Sequence, residues 1–132
     1  MEFNFLAIGI AIVADMMLGA LWYSPILFGK VWMKAVGIEK PEDLEATAKP
    51  AYAASGLSAV AMALFLSWLL GRLNIQSTGD ALPVVLVLWL GVIAPVVAVP
   101  YVWENRPKVP YGIYCGYKLV AICITAVILT NV

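Results

Sequence analysis

Hydrophobic residues in this chain gather into four long runs that are separated by shorter polar stretches. The runs extend over Phe3–Tyr23, Ala51–Leu73, Ala81–Trp103 and Tyr111–Asn131, and each is 21 to 23 residues long. An α-helix rises about 1.5 Å per residue, so each run can cross a hydrocarbon core of roughly 30 Å. The pattern predicts an all-α integral membrane protein with four transmembrane helices.

The four runs use most of the chain, so residues 1–132 are expected to form a single transmembrane domain. Short connections favour an up-down-up-down bundle with both termini on one side. The first and third loops together hold six Lys and Arg residues, whereas the opposite side has only Arg72. By the positive-inside rule, these two loops are predicted to be cytoplasmic and both termini to lie outside.

The first loop, Ser24–Pro50, opens with the amphipathic segment Ile26–Val36. Lys30 and Lys34 stand four residues apart in it, among large apolar side chains. This pattern is typical of a short helix that lies in the membrane interface with its lysines toward the lipid headgroups. The segment is either a simple membrane-surface connector or a specific site for anionic lipids.

Small residues at helical spacing predict where helices pack, because association inside lipid depends on close approach of the backbones. In the first run, Asp15 lies within such a stripe, between Ala11 and Gly19. The packing positions predicted in the second run are Ser55, Ala59, Ala63, Ser67 and Gly71, and those in the fourth are Gly112 and Gly116.

The third run carries no charge but contains Pro95 and Pro100. Each proline removes a backbone donor and clashes with the carbonyl four residues earlier, so a kink is expected. Broken helices form binding sites in many transporters, although proline is also common in ordinary spanning helices.

Two charged residues, Asp15 and Lys118, lie well inside the first and fourth runs. Counted from Pro25 and Pro110, their depths are roughly 15 and 12 Å from the same boundary. An unpaired charge near the bilayer centre costs at least about 2.5 kcal/mol on insertion scales. We therefore expect Asp15 and Lys118 to interact, directly or through one polar group or water.

This pair allows three interpretations. It fixes helix register, or it lines a wet cavity for a proton, ion or small polar solute, or Lys118 extends to the interface while Asp15 stays protonated or finds a hydroxyl. Tyr114 and Thr125 share the face of Lys118 and complete the candidate intramembrane polar site. Tyr117 is instead assigned to an aromatic belt at the interface, together with Trp22, Tyr23, Trp32, Tyr101, Trp103 and Tyr111.

Several function classes find no support in the sequence. The net charge is zero, which argues against a nucleic-acid partner, and histidine is absent, which removes His metal ligands and His-assisted nucleophiles. The chain has no Gly-rich phosphate loop, metal-ligand spacing or paired-carboxylate motif. We expect neither enzymatic activity nor a cofactor.

The run Leu18–Met33, which reads LGALWYSPILFGKVWM, resembles the signature of a prokaryotic membrane-protein family called domain of unknown function 1761. A Glu-Asn-Arg-Pro turn at 104–107 and a Gly-Tyr-Lys step at 116–118 are compatible with it. The resemblance implies a four-helix protein of the prokaryotic cytoplasmic membrane and supplies no activity.

Two functions remain open. A transport or channel role is favoured by the intramembrane charges and the proline-containing third run, and with four helices it would need a homo-oligomer. The alternative is a structural or accessory membrane protein whose buried charges only fix helix packing. Membrane lipids are partners in both cases. A wet cavity at Asp15 or Lys118 would favour the first, and a dry, packed pair the second.

Overall fold

A computed structural model describes residues 3–40, 42 and 45–132, of which 45–47 are described by their backbone alone. Over these residues the structure is helical, without strands: α1 (Phe5–Trp22), α2 (Gly29–Val36), α3 (Glu45–Arg72), α4 (Thr78–Leu88), a π-helical turn (Trp89–Ile93), α5 (Ala94–Trp103) and α6 (Lys108–Asn131). Four helical segments are long and apolar enough to cross a membrane: Phe5–Trp22, Ala48–Arg72, Thr78–Trp103 and Lys108–Asn131. The predicted class, an all-α protein with four membrane-spanning helices, is confirmed.

Three helices begin earlier than the hydrophobic runs, and α4 does so at Thr78 rather than at Ala81. Helix α3 starts inside the predicted loop Ser24–Pro50, and α6 starts at Lys108 rather than at Tyr111. Hydrophobicity marks the part of a helix that lipid covers, whereas backbone hydrogen bonding continues into the interface. Pro110 is compatible with this early start because the first turn of a helix has no partner for its N–H groups. Residues 41, 43 and 44 of the predicted loop lie outside the described residues.

Helix α6 is antiparallel to both α1 and α4. The end of α1 meets the start of α6, where the indole nitrogen of Trp22 donates to the carbonyl of Ile113 at 2.9 Å. The start of α4 meets the end of α6, where the hydroxyl oxygens of Thr78 and Thr130 lie 3.1 Å apart. The chain therefore runs up and down in order, with its two ends on one side.

The apolar core lies in the half of the bundle that is nearer the chain ends. One cluster joins α3, α4 and α6 through Leu66, Leu70, Ala81, Val85, Ile122 and Ala126. A second joins α1 and α3 through Ile8, Ala11 and Ala63. In the other half, α3 is exposed from Lys49 to Ser58 except at the half-buried Gly56. Helix α3 thus packs against the bundle through its second half, while the side chains of Lys49–Ser58 are largely exposed.

The predicted small-residue positions of α3 follow this division. Ala59 and Ala63 are buried, and Ser67 and Gly71 are half-buried. Ser55 is exposed, so it does not pack against another helix of this chain, contrary to the prediction. The physical reason is that the stripe continues beyond the point where α3 leaves the bundle.

The two glycines predicted as a packing step in α6 also differ. A Cβ added at Gly116 would lie 3.3 Å from the Trp22 ring, so this glycine gives the indole room to reach the carbonyl of Ile113. Gly112 is exposed, and a Cβ there would meet nothing within 4 Å. Only Gly116 serves close packing, and the prediction for Gly112 is wrong within this chain.

The third spanning segment is distorted just ahead of Pro95 and Pro100. Its π-helical turn ends where the N–H of Ala94 donates to the carbonyl of Trp89, five residues earlier. The wider turn lets the helix continue through Pro95. Two side-chain bonds hold the turn against α6: Trp89 Nε1 to the carbonyl of Cys115 at 2.9 Å, and Tyr111 Oη to the carbonyl of Ala94 at 2.7 Å.

A tight turn connects α1 to α2. The hydroxyl of Ser24 donates to the carbonyl of Leu21 at 2.6 Å, and the N–H of Gly29 donates to the carbonyl of Ser24 at 2.9 Å. A Cβ added at Gly29 would collide with the carbonyl oxygen of Tyr23 and lie 2.7 Å from that of Ser24. Glycine is required here because backbone atoms occupy the space of a side chain.

We predict that Gly29→Ala lowers the free energy of unfolding by about 1 to 3 kcal/mol, because the methyl group can fit only if the turn opens. Gly112→Ala is the matched control and should be neutral or stabilising by up to about 1 kcal/mol, since it adds helix propensity in open space. SDS titration of the purified protein in mixed micelles measures both. Equal stability of the two variants would contradict the close packing at Gly29.

Candidate functional site: a buried polar network between three helices

Asp15 is buried on the side of α1 that faces α6. Its residue is 4% exposed, and Ala7 and Ala11 on the same face are buried as well. The carboxylate accepts a hydrogen bond from the hydroxyl of Tyr117 on α6. The same hydroxyl lies 3.2 Å from the backbone carbonyl oxygen of Asp15. Asp15 therefore faces protein, as the small-residue stripe predicts.

Gly19 makes room for Tyr117. It lies one helical turn after Asp15 on the same face of α1, and a Cβ added there would be 3.1 Å from the Tyr117 hydroxyl oxygen. Any larger side chain at this position would push the tyrosine ring away from the carboxylate. The stripe on α1 thus supplies both the acceptor, Asp15, and the space that its donor needs.

Lys118 is buried between aromatic rings. The residue is 7% exposed, and its Nζ lies 5.6 Å from the ring centroid of Tyr114 and 5.2 Å from that of Tyr117. Such positions allow cation–π attraction, which strengthens when the cation is desolvated. The ammonium also donates to the Ser58 hydroxyl on α3, at 3.4 Å.

No ion pair within 4 Å joins Asp15 to Lys118. Tyr117 stands between them, with its hydroxyl on the carboxylate and its ring beside the ammonium. The two charges are therefore not a direct pair, and they share Tyr117 as a neighbour, Asp15 through its hydroxyl and Lys118 through its ring. The resulting network runs Asp15–Tyr117–Lys118–Ser58 and links α1, α6 and α3.

Of the other two predicted site residues, Tyr114 belongs to the network and Thr125 does not. Tyr114 is half-buried and takes part, since its ring lies beside the Lys118 ammonium. Thr125 is 2% exposed, but its hydroxyl donates to the carbonyl of Ala121 in its own helix at 2.9 Å. Because this bond uses its only proton, Thr125 stabilises α6 locally and lies outside the network.

Two residues of the network, Tyr117 and Ser58, were not predicted as members of the site. Tyr117 was assigned to the interfacial aromatic belt, whereas it is buried beside Asp15. The sequence feature that could have indicated this position is Gly19, because a glycine one turn after Asp15 leaves space for a large side chain from a neighbouring helix. Ser58 was missed because the four-residue period selects Ser55 and Ala59, whereas the hydroxyl that accepts from Lys118 belongs to the residue just before Ala59.

The buried polar atoms of the network are satisfied by protein groups. Among the described residues, every buried side-chain nitrogen and oxygen has a hydrogen-bond partner. A groove of about 490 Å³ lies between α4 and α6 and is lined by apolar side chains, and one of about 550 Å³ lies beside α2. Neither groove is lined by Asp15 or Lys118. The arrangement can hold three helices together without a bound solute.

Four apolar spanning helices around a buried polar network define a small polytopic membrane protein. A family model described as protein of unknown function (DUF1761) matches residues 6–130, so the chain belongs to this family, as the motif Leu18–Met33 indicates. No curated protein and no solved structure matches the chain.

We predict that Tyr117→Phe destabilises the protein by about 1 to 3 kcal/mol, because the buried carboxylate of Asp15 loses its donor. Tyr114→Phe is the matched control. It removes a hydroxyl that does not donate to Asp15 and keeps the ring beside Lys118, so its cost should be roughly 0.5 kcal/mol or less. Equal losses in SDS unfolding of the two variants would refute the hydroxyl–carboxylate bond.

Proposed function

We propose that this chain is a non-enzymatic structural or accessory protein of the membrane, held in one helix register by its buried polar network. The observation that carries the proposal is the burial of Asp15 and Lys118, which are 4% and 7% exposed, with a protein partner for each. With a protein partner for each residue, the arrangement needs no solute and fits a packing role.

The energetics of lipid support this proposal. A charge in the hydrocarbon core costs about 2.5 to 3.5 kcal/mol even on insertion scales. Helix arrangements that give each of the two residues a polar partner are therefore favoured. The hydroxyl of Tyr117 reaches Asp15 only when α1 and α6 are in one register. The ammonium group of Lys118 likewise reaches Ser58 only when α3 and α6 are in one register. The charges thereby disfavour shifted packings, a role attested for buried polar groups elsewhere.

The proposal includes an orientation and partners. We propose that the first and third loops lie in the cytoplasm and both termini outside, in a prokaryotic cytoplasmic membrane, and the excess of basic residues in these two loops supports this orientation. Helix α5 exposes Val96, Val99 and Val102, an apolar face suited to lipid or to a second copy of the chain. We expect a homo-oligomer and no nucleic-acid partner.

A double-mutant cycle tests the packing role. Asp15→Asn and Lys118→Met should each cost about 1.5 to 3 kcal/mol of unfolding free energy, because the first weakens the buried bond from the Tyr117 hydroxyl and the second removes the ammonium group from Ser58 and the two tyrosine rings. The double variant should cost less than the sum of the two. SDS titration in mixed micelles gives all three values.

Glu104 and Arg106 offer the matched control, since they form an exposed ion pair at 2.5 Å in the same chain. Glu104→Gln and Arg106→Met should change stability by no more than about 1 kcal/mol. Near-neutral effects of Asp15→Asn and Lys118→Met would contradict the packing role, because they would mean that both charges are already solvated inside the membrane.

A transport or channel role is the second candidate, and one observation favours it. The partner of the Lys118 ammonium, Ser58, lies at the end of the exposed half of α3. A second copy of the chain placed over this half could enclose a polar path that reaches Lys118 from the long first loop. The solute would be a proton, an ion or a small polar molecule.

Proteoliposomes test this second candidate. If it holds, vesicles containing the protein should dissipate an imposed proton or ion gradient faster than empty vesicles, and Lys118→Met should abolish the difference. Arg106→Met, which removes an exposed cation, should leave it unchanged. The absence of any flux above empty vesicles would count against a channel for protons or ions.

A further inference from the structure

A groove of about 550 Å³ lies beside α2, outside the buried network. Its lining residues are Lys30, Met33, Lys34, Gly37, Ile38 and Glu39. We propose that this groove binds the headgroup and upper acyl chain of an anionic phospholipid with one negative charge. The proposal does not depend on the function proposed above.

The groove lies close to the boundary of the membrane. Helix α1 crosses the bilayer and ends at Trp22, and α2 begins seven residues later at Gly29. Contacts hold α2 in this place: the rings of Tyr23 and Trp32 meet edge to face with centroids 5.4 Å apart, and Gly29 packs against the backbone of the turn. Lipid headgroups occupy the same level.

Both kinds of contact that a phospholipid needs are present. Lys30 and Lys34 are exposed and stand one turn apart on α2, so both ammonium groups can face the groove. Met33 and Ile38 supply the apolar part of the groove lining, and Val31 on the same short helix is exposed. Lysines beside exposed apolar residues on a short helix are typical of binding at the membrane surface.

The end of α2 gives the groove its second wall. Gly37 adopts a left-handed conformation, with φ of 81°, and stops the helix. The N–H of Gly37 then donates to the carbonyl of Lys34 at 3.3 Å, and that of Ile38 to the carbonyl of Met33 at 2.8 Å. This pair of bonds, the Schellman motif, folds the chain back so that Ile38 and Glu39 stand opposite the helix.

Charge indicates the class of lipid. Two lysines and Glu39 leave the groove with one net positive charge, which matches the single negative charge of a phosphodiester with an uncharged headgroup. Glu39 would repel a second negative charge and weaken the first contact slightly. Phosphatidylglycerol has the required charge and serves as the probe, and phosphatidylcholine is the neutral comparison.

The experiment compares binding of these two lipids to the full-length protein in detergent by native mass spectrometry. Lys30→Gln and Lys34→Gln should each weaken phosphatidylglycerol binding by about five-fold, the effect expected for one lysine near anionic lipid, and leave phosphatidylcholine binding unchanged. Glu39→Gln should strengthen phosphatidylglycerol binding. Unchanged melting temperatures would show that the exposed substitutions keep the fold.

Lys40→Gln combined with Lys108→Gln is the matched control, because both lysines are exposed and lie outside the groove. It removes the same charge as the double variant Lys30→Gln/Lys34→Gln. Equal weakening by the two double variants would overturn the proposal in favour of diffuse attraction. No weakening in either, or weaker phosphatidylglycerol binding in Glu39→Gln, would also overturn it.

Discussion

Inside lipid, a polar side chain can be satisfied only by protein, and the arrangement of this bundle depends on that constraint. The hydroxyl of Tyr117 reaches Asp15 on α1, and Lys118, the next residue, reaches Ser58 on α3. Two consecutive residues of α6 thus tie it to two different helices. Trp22 at the end of α1 and Trp89 in the π-helical turn add indole bonds to carbonyl groups of α6. Helix α6 is the centre around which the other spanning helices are placed.

The same constraint explains why aromatic residues are concentrated around α6. Tyrosine and tryptophan bring a large apolar ring together with one donor, so they can cross a helix interface and still satisfy a carbonyl or carboxylate. Tyr111 does this for the carbonyl of Ala94 next to the π-helical turn, as Tyr117 does for Asp15. Small residues supply the space, most clearly Gly19 for Tyr117 and Gly116 for Trp22.

The fold was largely predictable from the sequence, because the length of an apolar run is set directly by the thickness of the bilayer. The side of α1 that is buried was also predictable, since Ala7, Ala11 and Asp15 form one stripe. The partners of the two charges were not. Whether a tyrosine lies in an interfacial belt or turns into the bundle depends on a gap in the neighbouring helix, and sequence periodicity within α6 carries no information about Gly19. The place where α3 separates from the bundle is likewise a property of tertiary packing, which is why Ser55 was misassigned.

The two buried charges differ in how far they are enclosed. Asp15 lies on the packed face of α1, with Tyr117 filling the space that Gly19 leaves beside it. The ammonium of Lys118 extends the other way, toward Ser58, where α3 becomes exposed. A second chain or lipid that covers this half of α3 would therefore meet the lysine side of the network first. The lysine end of the network is therefore the more accessible one, and Asp15 is connected to it only indirectly, through Tyr117.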